Sequence, residues 1–246
     1  MEIIKSSLFL DFKEIIFGLS TKSGVKTDSP FGFNLSFTVG DQEETVEKNR
    51  ELFFNELGLS PSEIAVQMQI HSDIITIVDK GGMTGESDAL ITGQKGLGLA
   101  VSTADCVPVF IYDKAKKIIA AVHSGWRGTQ KKIVLKTLIK LNQEFGSNAS
   151  DLFVYMGPSI SKKNYEVGMD VAEQFDKKYS SQIGGKIVLD VPAVNRDLIL
   201  DFGVPENQLE ISPLCSYEEK NLLHSFRRDG KFSGRALGVI SMKDCG

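Results

Sequence analysis

The chain has 246 residues, of which 41% are hydrophobic and 24% charged, and its formal net charge is −4. This composition is ordinary for a globular protein, and the length allows a large core without disulfide support. The acidic balance and the lack of a long Lys/Arg cluster argue against a nucleic acid partner. No apolar run approaches the roughly 18 residues of a membrane span, and no signal-peptide pattern is present, so we expect no membrane association.

Cys106, Cys215 and Cys245 are widely spaced, odd in number and without a CxxC pair. This pattern is typical of free thiols in a reducing compartment, so we expect a cytoplasmic protein. No repeat, low-complexity tract or linker divides the sequence. We therefore predict a single domain over residues 1–246.

The first half of the chain predicts one long helix and two strands. Asp41-Gln-Glu-Glu44 has the pattern of a capping box, and the helix that follows should end at Gly58. Residues 64–69 and 74–78 are rich in β-branched side chains and predict strands on either side of His71. The apolar face of the helix is formed by Val46, Phe53, Phe54 and Leu57.

The second half alternates strands and helices. Apolar runs predict strands at 97–101, 107–112, 117–122, 152–156 and 236–242. Apolar spacing predicts an amphipathic helix that ends at Gly146, and two further helices at 171–178 and 190–200, the last entered through Pro192. Because several neighbouring strands are joined by short turns, we predict a mixed α/β fold and not a doubly wound parallel sheet.

The strands at 107–112 and 118–122 form a predicted hairpin. If Lys114 and Ala115 are its loop, paired positions sum to 229 and Cys106 lies opposite His123. Directly opposed residues have Cβ atoms about 4.5–5.5 Å apart, which lets a thiolate and an imidazole share one metal ion. A slip of one residue would place the two side chains on opposite faces of the sheet.

A third metal ligand must come from elsewhere, and His71 is the best candidate. Three protein ligands with an open fourth position are typical of catalytic zinc, whereas structural zinc sites are closed by four. The alternative is that Cys106 is a small core residue and both histidines are satisfied hydrogen-bonding groups. Spacing alone leaves both interpretations open.

The segment His123-Ser-Gly-Trp-Arg-Gly-Thr129 joins a strand to a helix. Its glycines allow close backbone approach, and the helix start together with Arg127 favours an anion such as phosphate or a carboxylate. The alternative is a tight turn with Trp126 packed in the core. Residues 227–230 are most simply a charged turn before the last strand.

These motifs together resemble the YfiH-type family, which carries the labels polyphenol oxidase/laccase domain and purine nucleoside phosphorylase. The resemblance covers nearly the whole chain and departs from the usual pattern at Lys22, which replaces Arg, and at Val25, which replaces Gly. It rests on His71, Ser87-Asp-Ala-Leu90, Thr103-Ala-Asp-Cys-Val-Pro108, His123-Ser-Gly-Trp-Arg-Gly128, Gly157-Pro-Ser-Ile160, Tyr165-Glu-Val-Gly168, Ser225-Phe-Arg-Arg-Asp-Gly230 and Gly234-Arg235.

The resemblance implies mixed β-sheets between helical layers (α/β/β/α) and zinc bound by His71, Cys106 and His123. It also implies phosphorolysis of adenosine, inosine and methylthioadenosine, with purine nucleoside and phosphate as partners and adenosine deamination as a further activity. An amidase that edits a peptidoglycan precursor is an alternative. On this basis we expect catalytic roles for Cys106, Asp105, Arg127 and Tyr165, and substrate or phosphate binding by Asn34, Arg50, Gln69, Asp88, Ser124 and Gly125.

Two further functions compete with these. A copper-dependent polyphenol oxidase would use the two histidines and the cysteine as in blue copper, but a multicopper enzyme needs many more imidazoles than the three histidines of this chain. A non-enzymatic thiol–metal sensor would need a closed site, with His224 or Cys215 as a fourth ligand. The sequence does not predict the oligomeric state.

Overall fold

The computed structural model describes residues 1–24 and 30–244, so Val25 and Cys245 lie outside the described residues. Its helices are α1 (Ser7–Leu10), α2 (Glu43–Glu56), α3 (Trp126–Gln130), α4 (Ile133–Phe145), α5 (Met169–Ala172), α6 (Val191–Phe202) and α7 (Phe226–Asp229). Its strands are β1 (Ile3–Ile4), β2 (Ile15–Ser20), β3 (Ile64–Met68), β4 (Ile75–Ile77), β5 (Gly82–Glu86), β6 (Ala89–Thr92), β7 (Gly98–Thr103), β8 (Val107–Asp113), β9 (Ile118–Ser124), β10 (Leu152–Met156), β11 (Ser180–Ile183), β12 (Lys186–Leu189), β13 (Leu209–Ile211) and β14 (Ala236–Met242).

Most strands belong to two mixed sheets. Sheet A has the order β1-β2-β14-β7-β3-β5, and sheet B has the order β13-β10-β8-β9-β6-β4, while β11 and β12 form a separate pair. Each sheet contains both parallel and antiparallel pairs, as the prediction of a mixed sheet requires. Among the described residues, no helix is both long enough and apolar enough to span a lipid bilayer.

The central strands are buried on both faces, which explains their predominantly apolar sequences. Successive side chains of β8 point to opposite sides of sheet B. Val109 and Ile111 pack with α4 and α6, whereas Phe110 and Tyr112 pack against sheet A. Strand β8 thus lies between two hydrophobic cores, one shared with the helices and one shared with sheet A, and every one of its residues is buried.

Three hydrophobic clusters define the layers. One joins α2, through Phe53 and Phe54, to the outer face of sheet A. A second fills the space between the two sheets, and the third joins α4 and α6 to the outer face of sheet B. The layer order is α/β/β/α, and the predicted fold class is confirmed.

Helix α2 ends where the sequence predicts but begins one residue later than predicted. Helix α2 ends as expected, since Gly58 has φ 69° and the N–H of Leu59 donates to the carbonyl of Phe54 at 2.9 Å. The capping box at Asp41 is wrong, because the helix begins one residue later, with Gln42 as N-cap and no side-chain cap. The carboxylate of Asp41 instead accepts a hydrogen bond from the amide of Asn34 at 3.1 Å.

The two helices predicted after β10 have different outcomes. Helix α6 is confirmed, with Asp190 accepting from the N–H of Ala193 and Pro192 in the first turn. The helix predicted at 171–178 is wrong, because α5 ends at Ala172 and a separate 3-10 turn follows. Asp176 caps this turn, because its carboxylate accepts from the backbone N–H of Lys178.

The predicted register of the β8–β9 hairpin is wrong by two positions. The observed pairs run from Val107 with Ser124 to Asp113 with Ile118, so paired positions sum to 231. Asp113 lengthens the loop to residues 114–117, because its carboxylate accepts from the N–H groups of Ala115 and Lys116. A shift of two preserves the face of each side chain, so the predicted proximity of positions 106 and 123 survives.

A carboxylate between β2 and the hairpin makes stability pH-dependent. Glu14 accepts hydrogen bonds from Lys117 at 2.8 Å and from the Tyr112 hydroxyl at 2.6 Å. The bond from Lys117, followed by that from Tyr112, lowers the pKa of Glu14 from 4.5 to about 2. Because the folded pKa lies below the unfolded one, this contribution is present above about pH 4.5 and is lost as the pH falls towards 2.

We therefore expect Glu14→Gln to lower the free energy of unfolding at pH 7 by about 1 kcal/mol, a modest value because the carboxylate is partly exposed. The difference from wild type should shrink as the pH is lowered through this range, which urea denaturation at several pH values will measure. Glu51→Gln, at an exposed glutamate of α2, is the control and should show no such trend. An effect of Glu14→Gln that is independent of pH would contradict this account.

Candidate active site

The sheet topology brings three chain segments to one end of the sandwich. Strands β3 and β7 run parallel, so the connections that follow them leave sheet A at the same end. His71 lies on the connection from β3 to β4, and Cys106 on the connection from β7 to β8. Strand β9 is antiparallel to β8, so its last residues lie beside the start of β8, with His123 opposite Pro108.

His71, Cys106 and His123 form one group that could hold a metal ion. Their ligand atoms all lie within 4.8 Å of one another, and the Cys106 Sγ is 4.0 Å from the His71 Nε2. In a tetrahedral zinc site the donor atoms are roughly 3.3–3.7 Å apart, so small side-chain rotations would complete the coordination. Within residues 1–24 and 30–244, no fourth His, Cys, Asp or Glu joins the group. The convergence predicted from the sequence is confirmed.

Asp88 orients two of the three ligands. Its carboxylate is fully buried and accepts from the His123 Nδ1 at 2.8 Å and from the backbone N–H of His71 at 3.1 Å. It also accepts from the backbone N–H and the hydroxyl of Ser72, at 2.6 and 2.7 Å. This bonding keeps a proton on Nδ1 of His123, so Nε2 is the nitrogen that would bind a metal after losing its own proton. The Asp88 side chain therefore supports His71 and His123 from the protein interior, where a substrate cannot reach it.

The ligand loops have backbone features that the site requires. His71 has φ 58°, a left-handed conformation that is rare for a residue with a side chain. Gly125 must lack a side chain, because a Cβ there would lie 2.9 Å from the Cys106 Sγ and 2.9 Å from the His71 Cδ2. Gly125 thus provides space for the ligand group. The left-handed backbone of His71 is an unfavourable conformation, and such strain is commonly found at functional sites.

Cys106 and His123 also affect each other electrostatically. Burial raises the pKa of the Cys106 thiol, but the charge of His123 and hydrogen bonds from both histidines outweigh burial and lower it to about 6. Burial likewise lowers the pKa of His123, and the Cys106 charge and the bond to Asp88 reverse this. The thiolate is therefore favoured at neutral pH, which is the form that binds a metal.

Asp105, a predicted catalytic residue, joins three loops beside Cys106. Its carboxylate accepts from the Ser216 hydroxyl at 2.6 Å and from the backbone N–H of Arg227 at 2.6 Å, while its carbonyl accepts from Ile160. Asp105 itself has φ 94°. Both carboxylate oxygens are thus hydrogen-bonded to protein, and the side chain ties the Cys106 loop to the segments that carry Ser216 and Arg227.

Tyr165 and Arg127 lie at the rim of the group. Burial, followed by the Cys106 charge, raises the pKa of the Tyr165 hydroxyl to about 12, and the charge of Arg127 partly opposes this shift. The guanidinium of Arg127 is exposed and lies 4.3 Å from the ring centroid of Trp126. Helix α3 has only five residues, so the side chain of Arg127, more than the helix start, is what could attract an anion.

Two further arginines lie near the group, and the residue-by-residue sequence analysis missed both. Arg227 lies 5.1 Å from the ring centroid of Tyr165, and its guanidinium donates to the carbonyl of Glu166. Burial lowers the pKa of Arg235, and the facing charges of Asp105 and Cys106 oppose that shift. The family motifs at 225–230 and 234–235 were the available signal, but residues 227–230 were interpreted as a charged turn.

Four of the predicted substrate-binding residues have side chains engaged with protein. The amide of Gln69 forms two hydrogen bonds with the backbone of Ser102, and Arg50 donates to the carbonyl of Leu35 at 2.7 Å. Asn34 and Ser124 are fully buried. Asn34 bonds within its own loop and to the N–H of Arg235, whereas Ser124 bonds to Thr129 and Asn195.

The two spare soft ligands lie outside the group. His224 is buried and its Nε2 lies 3.2 Å from the carbonyl oxygen of Phe33, while Cys215 accepts from the N–H of Ser161 at 3.3 Å. Burial lowers the pKa of His224 to about 4. Neither residue closes the site as the sensor hypothesis requires.

Comparison with known proteins gives the family. The family model described as "Multi-copper polyphenol oxidoreductase laccase" matches residues 16–243. A purine nucleoside phosphorylase from Bacteroides thetaiotaomicron is 36% identical, covering 90% of this chain and 89% of that protein. The adenosine deaminase RL5, from an unknown prokaryotic organism, is 31% identical, covering 95% of this chain and 98% of that protein.

A solved structure agrees with these sequence matches. The crystal structure of the hypothetical protein YfiH from Bacillus licheniformis has a TM-score of 0.90 at 30% identity, covering 95% of this chain and 94% of that one. The sequence match and the shared fold both extend over nearly the whole chain. The chain belongs to the laccase-like, YfiH-type family.

Proposed function

We propose that the protein is a zinc-dependent purine nucleoside phosphorylase that acts on adenosine, inosine and methylthioadenosine. The observation that carries this proposal is the three-ligand group of His71, Cys106 and His123, open on one side and flanked by arginines. The relative from Bacteroides thetaiotaomicron, which carries the same activity in its name, supports it.

The ligand set suits zinc by its chemistry. Two imidazoles and one thiolate are soft or intermediate donors, and three protein ligands leave a position for a substrate or water. Bound zinc would supply a Lewis acid that polarises an oxygen atom and makes a nucleophile available at neutral pH. Asp88 fixes the orientation of His123 through Nδ1, so the ligand atoms need little reorganisation when the ion binds.

The arginines provide a place for phosphate. Arg127 lies four residues after His123, and the backbone N–H of Arg227 donates to Asp105, the neighbour of Cys106. The charges of Asp105 and Cys106 act on the pKa of Arg235, so arginines from three chain segments lie near the ligand group. Planar guanidinium groups bind phosphate oxygens in a bidentate manner and remain charged at all relevant pH values. We assign phosphate binding first to Arg127, which is exposed, while Arg50 is engaged with Leu35 and Phe37.

Tyr165 is suited to assist the departing base. In phosphorolysis a phosphate oxygen forms a bond to C1′ of the ribose, and the bond from C1′ to the base nitrogen breaks. The base then needs a proton. Because its pKa is about 12, the Tyr165 hydroxyl keeps its proton at neutral pH and can donate a hydrogen bond or a proton, but it does not act as a base.

Adenosine deamination is the second candidate, favoured by the similarity to the adenosine deaminase RL5. It would use the same three ligands with water as the nucleophile. Copper oxidase chemistry has less support, because the three histidines of the chain are too few for the several copper centres of a multicopper oxidase.

The proposal is tested by incubating the zinc-loaded protein with adenosine, with and without phosphate. Phosphate-dependent release of adenine and ribose 1-phosphate is expected. Inosine formation that needs no phosphate would favour deamination, and no turnover of adenosine, inosine or methylthioadenosine would contradict both and turn attention to amide substrates. Metal analysis of protein purified without added metal should return near-stoichiometric zinc, and copper in its place would reopen the oxidase hypothesis.

Replacing Arg127 tests the phosphate site. We expect Arg127→Ala to raise the KM for phosphate about tenfold to a hundredfold, since a hydrogen bond to a charged group contributes about 1.5–3 kcal/mol. The KM for adenosine should change little. Arg196→Ala, at an exposed arginine of α6 that lies 3.9 Å from Asp197, is the matched control. Equal phosphate KM values in the two variants would exclude Arg127 from phosphate binding.

A further inference from the structure

An exposed aromatic ring lies next to the candidate site. Phe226, the first residue of α7, is 53% exposed, although a phenylalanine normally buries its ring. The guanidinium carbon of Arg235 lies 5.4 Å from the centroid of this ring. Since Arg235 also faces the charges of Asp105 and Cys106, the Phe226 ring belongs to the surroundings of the ligand group.

The segment that carries Phe226 is fixed by contacts that do not involve its ring. The N–H of Arg227 donates to Asp105 at 2.6 Å, and the Ser225 hydroxyl caps α7 by accepting from the N–H of Arg228. The guanidinium of Arg228 donates to three backbone carbonyls and pairs with the carboxylate of Asp229. These hydrogen bonds hold the turn in place, while the ring contacts the guanidinium of Arg235 and leaves about half of the residue's surface exposed.

Planar heterocycles bind to such rings by stacking. A cation placed against one side of a ring limits its rotation, and the remaining exposed surface is available to a second flat group. A nucleoside whose ribose lies between the arginines and the ligand group must place its base at the rim of the site. Phe226 is exposed beside Arg235 and directly precedes Arg227, whose N–H donates to Asp105 next to Cys106, so its ring is a candidate to receive the base.

We propose that Phe226 is the stacking platform for the base of the nucleoside substrate, an inference that rests on the proposed function. Stacking depends on the flat face that every purine shares and not on its exocyclic groups. This platform would therefore accept adenine and hypoxanthine bases alike, and the choice of substrate would be made by the ribose and phosphate contacts.

The test is a binding measurement on the zinc-loaded protein by isothermal titration calorimetry. Phe226→Ala should raise the Kd for adenosine and for inosine about tenfold to a hundredfold, the usual effect of removing one base–aromatic stack. Phe226→Trp, which keeps an aromatic face, should restore affinity. Ribose 1-phosphate has no base, so its Kd should be the same in the wild type and in Phe226→Ala.

Phe232→Ala is the matched control, because Phe232 is 55% exposed, lies close in sequence and contacts Lys231 instead of the site arginines. An unchanged Kd for adenosine in Phe226→Ala would overturn the inference, as would an equal loss for ribose 1-phosphate. If the wild type binds adenosine through Phe226 but does not cleave it, phosphorolysis fails and the stacking platform stands. If the wild type binds no nucleoside, both fail.

Discussion

Replacing Cys106 with alanine should remove bound zinc and lower kcat/KM for adenosine phosphorolysis at least about 10³-fold, because loss of one essential active-site group commonly costs this much or more. Cys106 is the only anionic ligand of the group, and its thiolate is favoured at neutral pH by the neighbouring histidines. Two neutral imidazoles alone would bind the ion more weakly. Metal analysis after gel filtration and steady-state kinetics measure the two effects.

The fold should survive this substitution. Cys106 lies in a loop, so the metal-free variant should still unfold cooperatively, with a loss of about 1 kcal/mol in the free energy of unfolding because the attraction between the thiolate and the histidines is removed. Cys215→Ala is the matched control, since it removes a buried thiol that is not part of the ligand group. A Cys106→Ala protein that kept its zinc and its turnover would refute the proposed centre.

The layer structure could be predicted because the central strands obey simple rules. A strand buried on both faces is predominantly apolar, and β8, β9 and β14 are recognisable in the sequence for this reason. Helix α4 is equally clear, because its buried residues Val134, Leu138 and Leu141 recur at helical spacing before the left-handed Gly146. The local sequence of each of these elements is enough to predict it, with little dependence on the rest of the chain.

Other parts of the fold depend on side-chain hydrogen bonds that the sequence does not reveal. The hairpin register follows from the two bonds that Asp113 accepts from backbone N–H groups, and Asp176 caps a 3-10 turn where the sequence predicts a continuous helix. An aspartate in a sequence can cap a helix, close a turn or point to solvent. Only its neighbours in space decide which of these occurs.

The same limit applies to the site. The convergence of His71, Cys106 and His123 could be predicted because histidines and cysteines are rare in this chain and because the motifs around them are specific. The roles of the polar residues beside them could not. Asp88 and Ser124 were assigned to substrate, yet both are fully buried and bonded to protein, whereas Arg235 and Phe226 were overlooked.

Asp88→Asn should have the second largest effect on the site and on stability, because the Asp88 carboxylate accepts hydrogen bonds from five donors. Its two oxygens accept from His123, from Ser72 and from the backbone N–H groups of Ile70 and His71. An asparagine has one oxygen and one amide, so whichever way it turns, an N–H group faces another donor. We expect the free energy of unfolding to fall by about 3 kcal/mol, as for other buried pairs that lose one partner.

Zinc affinity should fall about 10- to 100-fold in Asp88→Asn, since the proton on His123 Nδ1 would no longer be held by a carboxylate. Chelator competition and urea denaturation measure the two losses separately. Ser72→Ala is the control, because it removes one donor to Asp88 at a cost of about 1 kcal/mol and leaves the bond to His123 in place. The control should lose stability and keep its zinc affinity. If Asp88→Asn behaved in the same way, the carboxylate would stabilise the loop without orienting the ligand, and His123 would owe its position to the packing of β9 alone.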